Sequence, residues 1–200
     1  MNKAKPIVLV LHGPSGVGKD SVIDRLRERT GIHRATSTTS RAPREGEVDG
    51  VHYHFVSEKA FERLIAGGHF AEYARVYGQW KGVGRDEIEG PLSGGQDVII
   101  RTDVQGARTW RGLLEHAVFI FLMAEDREAL RARLIGRGTE DEGDLQARLD
   151  ELEEELADIP NNDHTVINRH GGIEEAVSEI EAIIERERAN GSRPAPRLRR

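Results

Sequence analysis

Residues 7–21 read Ile-Val-Leu-Val-Leu-His-Gly-Pro-Ser-Gly-Val-Gly-Lys-Asp-Ser. The apolar run Ile7–Leu11 has no polar alternation, the pattern of a strand covered on both faces. The spacing Gly13-x-x-x-x-Gly18-Lys19 that follows is the signature of a phosphate-binding loop. Its glycines let consecutive backbone N–H groups turn inward around an anion. The amphipathic stretch beyond it (Val22, Ile23, Leu26) predicts a helix opening near Lys19, whose positive dipole end faces the same anion. Lys19 adds a mobile full charge. The pattern points to a nucleoside triphosphate held by Gly13, Ser15, Gly16, Val17, Gly18, Lys19, Asp20 and Ser21. A glycine-rich turn that binds nothing is the competing reading, and the strand before and helix after argue against it. One position departs from the signature. Where it has the Ser or Thr that ligates magnesium, this chain has Asp20, with Ser21 next, so Asp20 and Ser21 are the candidate Mg2+ ligands.

Working outward, apolar strands alternate with amphipathic helices. Strands are expected at 6–12, 97–102, 117–123 and 164–168. Helices are expected at 19–29, 105–114, 126–136 and 173–188, with leucines at helical spacing through an acidic stretch at 143–158. This predicts an α/β fold with a parallel sheet covered by helices on both faces. The block from about 36 to 93 interrupts the alternation. It is too long for a crossover and carries its own short strands and helices (58–67 and 85–92). An inserted mixed α/β subdomain that binds the second substrate is the natural reading.

The chain has 200 residues, suited to one domain, and no cysteine, which excludes disulfides and thiolate metal sites and fits a cytoplasmic protein. The N-terminal apolar run is too short for a membrane span. The formal charge of −6 hides an asymmetry. Residues 191–200 hold four arginines and no acid, leaving 25 basic against 35 acidic side chains in the rest, a charge of −10. An acidic body argues against nucleic acid as the main partner. The tail 189–200, mixing Gly, Pro, Ser and Arg, reads as disordered. His52 and His54 sit two apart with no further ligand nearby, so a surface role is favoured over a metal pair.

Residues 36–57 place Ser37, Arg41, Arg44 and Tyr53 in one segment. Guanidinium forks, a hydroxyl and a phenol make a good second anion pocket, although charged loops are usually just solvated. Several motifs together give this segment its meaning: Arg41-x-x-Arg44, Gly46-Glu47-Val48-Asp49-Gly50, Asp103-Val104-Gln105-Gly106-Ala107, Gly136-Arg137-Gly138-Thr139 and Val166-Ile167-Asn168. In order and spacing, from about residue 6 to 186, the chain resembles the guanylate kinases, P-loop nucleoside monophosphate kinases.

The resemblance implies phosphoryl transfer from ATP to GMP or dGMP, with Mg2+, by an in-line displacement with no covalent intermediate. It implies a core of 1–35 and 94–188 within a domain of 1–188, a GMP-binding insertion at about 36–93 and a lid at about 137–150. Ser37, Arg41, Arg44, Tyr53 and Lys81 would hold the GMP phosphate. Glu72 and Asp103, as buried carboxylates, would accept hydrogen bonds from guanine N–H groups and reject adenine. Lys19, Arg133, Arg137 and Arg148 would surround the transferred group, and Asn168 would lie near the adenine of ATP. Arg133 and Arg137, four apart, share a helix face; ion pairing with Glu140, Asp141, Glu142 and Asp144 is their blander role. No general base is needed, because the acceptor phosphate is largely dianionic near neutral pH.

The chain departs from the family pattern at three places. Asp20 follows the loop lysine. Arg101 stands where the family has an acid two residues before Asp103. Lys81 and Val83 replace a tyrosine and a hydroxyl residue. Asp20 and Arg101 together suggest an exchanged ion pair between loop and strand. Two other functions compete: ribose 1,5-bisphosphate kinase, whose loop also reads Gly-Lys-Asp-Ser, and a non-catalytic guanylate-kinase-like module that binds a partner. Either a monomer or a homodimer is compatible with the sequence.

Overall fold

β1 (Val8–His12) is buried along its whole length, as its unbroken apolar run predicts. In the computed structural model, which describes residues 5–76, 78–126, 128–130, 152–190 and 193–199, this strand is the middle of a five-stranded parallel sheet. β7 (Val98–Arg101) pairs on one side, with Val8 opposite Val98, and β9 (Val118–Met123) on the other, with Leu9 opposite Val118. β2 (His33–Arg34) lies outside β7, and β10 (His164–Ile167) outside β9.

Successive residues of β1 serve opposite faces, as the pleat requires. Leu9 and Leu11 join a core with Val22, Ile23 and Leu26 of α1 (Lys19–Thr30) and with Val177 and Ile180 of the C-terminal helix Ile173–Ala189. Val8 and Val10 join a second core with Ile88 of α3 (Asp86–Ser93) and with Ala107 and Trp110 of α4 (Val104–Leu113). Helices thus cover both faces. α1 stops at Gly31, whose φ of 71° lets its N–H close on the Arg27 carbonyl.

The expected interruption is a second sheet of four strands in the order β4-β3-β6-β5. These are β3 (Ser37–Thr39), β4 (His54–Phe55), β5 (Phe70–Val76) and β6 (Gln79–Gly84). α2 (Glu58–Ala66) covers it, capped by Ser57 Oγ accepting from the Ala60 N–H at 3.2 Å. Phe61 is fully buried and stacks on Phe70 and Trp80, with ring centroids 4.3 and 5.8 Å away. The insertion therefore carries an aromatic core of its own.

One expectation is corrected. Part of the arginine tail is ordered: β11 (Arg197–Leu198) pairs antiparallel with β8 (Leu114–Glu115). Composition alone suggested disorder because it hides the partners. Arg197 Nε donates to Glu115 at 2.6 Å, Arg193 donates to the carbonyls of His116 and Ala117, and Leu198 packs against the second core. The expected lid at 137–150 and most of the helices at 126–136 and 143–158 lie outside the described residues; residues 128–130 and 152–156 are helical.

Candidate active site

The loop after β1 is built by backbone conformations that favour glycine. Gly13, Gly16 and Gly18 have φ of 140°, 85° and 88°. A side chain at Gly13 would run into the Leu122 carbonyl of β9, and one at Gly18 would lie 2.6 Å from Asn168 Nδ2. Gly18 caps α1 without any side-chain hydrogen bond, so the first N–H groups of the helix stay available to an anion. Lys19 is buried, and its Nζ donates to the carbonyls of Gly13 at 2.6 Å and Pro14 at 2.8 Å. Burial, and next the nearby Arg101 charge, lower its pKa from 10.5 to about 8. Asn168, at the end of β10, donates from Nδ2 to the Val17 carbonyl at 2.8 Å, bracing the loop. It also borders a cleft of about 200 Å³ lined by Arg169, His170, Gly171 and Ile173.

A cavity of about 250 Å³ opens between the insertion and the carboxyl end of the core sheet. Five of the seven expected acceptor residues line it: Ser37 from β3, Tyr53, Glu72 from β5, Lys81 from β6 and Asp103 at the start of α4. Burial, with Asp103 contributing, raises the Glu72 pKa. Asp103 Oδ1 accepts from the Gly106 N–H at 2.7 Å as the helix cap, leaving Oδ2 for a ligand. The two carboxylates are less enclosed than expected: Glu72 is half-buried and Asp103 exposed, because they form the cavity wall rather than its floor.

Arg41 and Arg44 do not line this cavity. Arg41 is held one layer behind it by a two-pronged bond to Glu47, both contacts at 2.8 Å, with its guanidinium 5.4 Å from the Tyr53 ring centroid. Lys81 Nζ approaches the same ring, at 5.9 Å. Hydrogen bonds from Arg41 and from the Arg44 backbone N–H hold the Glu47 carboxyl at a pKa of about 2. The Arg44 side chain is exposed. Arg133, Arg137 and Arg148 lie outside the described residues.

Asp20 does not fit the role of metal ligand. Its Oδ1 takes Arg34 Nη2 at 2.7 Å and its Oδ2 takes Arg101 Nη2 at 3.1 Å. A cation bound there would have to displace two guanidinium groups, and Ser21 offers only one exposed neutral hydroxyl. Among the described residues no group of three acids or histidines is placed to hold a metal ion. The exchanged ion pair expected between loop and strand is present in the Asp20–Arg101 contact. Arg34 was missed; its position in a short strand carried no signal of its neighbours. Glu87 was missed too. Its carboxylate takes His33 Nε2 at 3.2 Å, His54 Nε2 at 3.0 Å and the Thr36 N–H at 2.8 Å, tying core to insertion. His54 is thus a partner of Glu87, and His52 accepts from the Val48 N–H through Nδ1.

A glycine loop for a triphosphate and a cavity with both cations and carboxylates share one end of a parallel sheet. That combination defines a P-loop phosphotransferase. A family model described as guanylate kinase matches residues 3–187, and the chain belongs to the guanylate kinase family. Guanylate kinase 2, chloroplastic/mitochondrial, of Oryza sativa subsp. japonica is 46% identical over 187 residues, covering 92% of this chain and 66% of that protein. The guanylate kinase of Clostridioides difficile strain 630 is 38% identical over 190 residues, covering 94% and 92%. The crystal structure of guanylate kinase from Anaplasma phagocytophilum aligns with a TM-score of 0.77 at 31% identity, over 96% of this chain and 92% of that one. No described helix is long and apolar enough to cross a membrane.

Proposed function

We propose that this chain moves the γ-phosphoryl group of ATP onto the phosphate of GMP, yielding ADP and GDP. The observation that carries the reading is the cavity itself. A cation and two hydroxyls (Lys81, Ser37 and Tyr53) and two carboxylates (Glu72 and Asp103) line the same cavity, and Asp20, next to Lys19, is bonded to its Arg101. The first group suits a phosphate, the second the N–H edge of guanine, which adenine lacks.

In this reading the acceptor oxygen is already ionised, so the protein supplies alignment and positive charge. Lys19 leaves the Gly13 and Pro14 carbonyls for the donor phosphates. Arg41 supports the acceptor end through Tyr53 and by direct approach once Glu47 yields. Arg133, Arg137 and Arg148 are assigned to the transferred group by the family pattern, and Asn168 with its cleft to the adenine end. Magnesium enters only as the counter-ion ATP brings, since the residues around Asp20 do not form a seat for it.

A coupled assay for ADP, run with GMP, dGMP, AMP and ribose 1,5-bisphosphate, tests the proposal. Turnover with GMP and dGMP and little with AMP is expected. Turnover with the sugar phosphate alone, or none at all, would overturn it.

A further inference from the structure

Arg101 ends β7 at the boundary between the two anion sites. Its guanidinium lines the acceptor cavity beside Asp103 and Thr102, and the same group bonds Asp20, the residue after the loop lysine. Its Nε–H is buried and meets no acceptor among the described residues. The side chain as a whole is 38% exposed, so an arriving anion meets the accessible part of this cation rather than the buried Nε–H. Asp20 cannot swing freely, because Arg34 of β2 holds its other oxygen. Three elements (α1, β2 and β7) therefore fix one guanidinium in place. That place lies between the residue that follows the loop lysine and the acceptor cavity.

Resting on the transfer reading above, we infer that Arg101 is a catalytic residue of this chain, which contacts the phosphates at the point of transfer and supplies positive charge there. Asp20 is its positioning residue. The carboxylate beside the loop lysine thus orients a fixed organic cation instead of binding a divalent one. This accounts for the misfit between Asp20 and a metal ion. A guanidinium cannot be lost to chelation and offers a planar fork to two phosphate oxygens.

The test uses the full chain with Arg101→Met, Asp20→Asn and the double variant. Arg101→Met is expected to lower kcat about 100-fold or more, the scale of losing one preorganised donor, while KM for ATP moves no more than about threefold. Asp20→Asn is expected to lower kcat about tenfold, and the double variant to be no slower than Arg101→Met alone, because both changes act through one group. A second readout is independent of turnover. A bisubstrate probe, adenosine and guanosine joined by five phosphates, is titrated calorimetrically in EDTA. Its affinity should fall about 30-fold in Arg101→Met. Should Arg101→Met be unfolded by circular dichroism, Arg101→Gln, which keeps a hydrogen bond to Asp20, is judged by the same criteria. Two failures are distinct. A wild-type chain that makes no ADP with GMP removes the transfer reading. A wild-type chain that turns over, with an uncharged residue at 101 keeping kcat and probe affinity within about threefold, or with strictly additive Asp20 and Arg101 effects, removes the Arg101 assignment alone.

Discussion

Lys19 shows how much a single buried charge can report. In the free protein it titrates near 8, against 10.5 for an ordinary lysine, chiefly because it is buried. Between those two values the unfolded chain holds more protons than the folded one, so this group makes stability rise with pH across that window; below about 8 both states are charged and the full cost of burial is felt. A polyphosphate reverses the preference, since it favours the charged amine. Binding of ADP at pH 9 is therefore expected to take up close to one proton, and at pH 7 almost none. Calorimetry in two buffers of different ionisation heat measures this directly, and Lys19→Met should abolish the uptake. Glu72 carries a second expectation at this scale. Glu72→Gln replaces an acceptor with an amide that can donate, so discrimination between GMP and AMP should narrow about 100-fold in kcat/KM. An unchanged ratio would remove Glu72 from base recognition.

The elements show why some features could be read from the sequence and others not. Unbroken apolar runs such as Val8–Leu11 and Val118–Leu122 announce buried parallel strands, and Val22, Ile23 and Leu26 announce the packed face of α1. The loop was legible because its glycines are required by backbone geometry, which leaves a fixed spacing. Ser37 and Tyr53 could be grouped by their shared segment, whereas Glu72, Lys81 and Asp103, which line the same cavity, joined them only through a resemblance carried by several motifs at once. What stayed hidden depends on neighbours far along the chain: Arg34 against Asp20, Glu87 against His33 and His54, and the tail against Glu115. Arg41 was placed in the right segment but not in the cavity wall, because nothing local says that Glu47 will hold it. Gly18 offers a test of element packing. With φ at +88° and Asn168 Nδ2 where a side chain would go, Gly18→Ala should cost roughly 1–3 kcal/mol of stability. The same variant should bind ADP more weakly than wild type, whereas Gly112→Ala on α4, where a Cβ meets nothing within 4 Å, should match wild type in ADP binding and be up to about 1 kcal/mol more stable. Thermal melts with and without ADP separate the two.

At the scale of the whole molecule, core and insertion meet at Glu87. Burial opposes its charge, yet hydrogen bonds from His33, the Thr36 N–H and His54 outweigh burial and hold the carboxyl at about 2. A depressed carboxyl stabilises the folded state above its unfolded value of 4.5, and that contribution fades as pH falls toward 2. Wild type should lose on the order of 2 kcal/mol of stability through this group across that interval. Glu87→Gln should be less stable at pH 7 and show a shallower acid limb in chemical denaturation. The parallel core has a further consequence. β1 emerges first during synthesis, yet its partners Val98 and Val118 follow some 90 and 110 residues later. The insertion closes its own hairpin of β5 and β6 locally, with Val76 facing Gln79. On the ribosome, the guest segment can thus assemble while the host strand waits unpaired, its most apolar stretch open to chaperones until the far half of the chain has been translated.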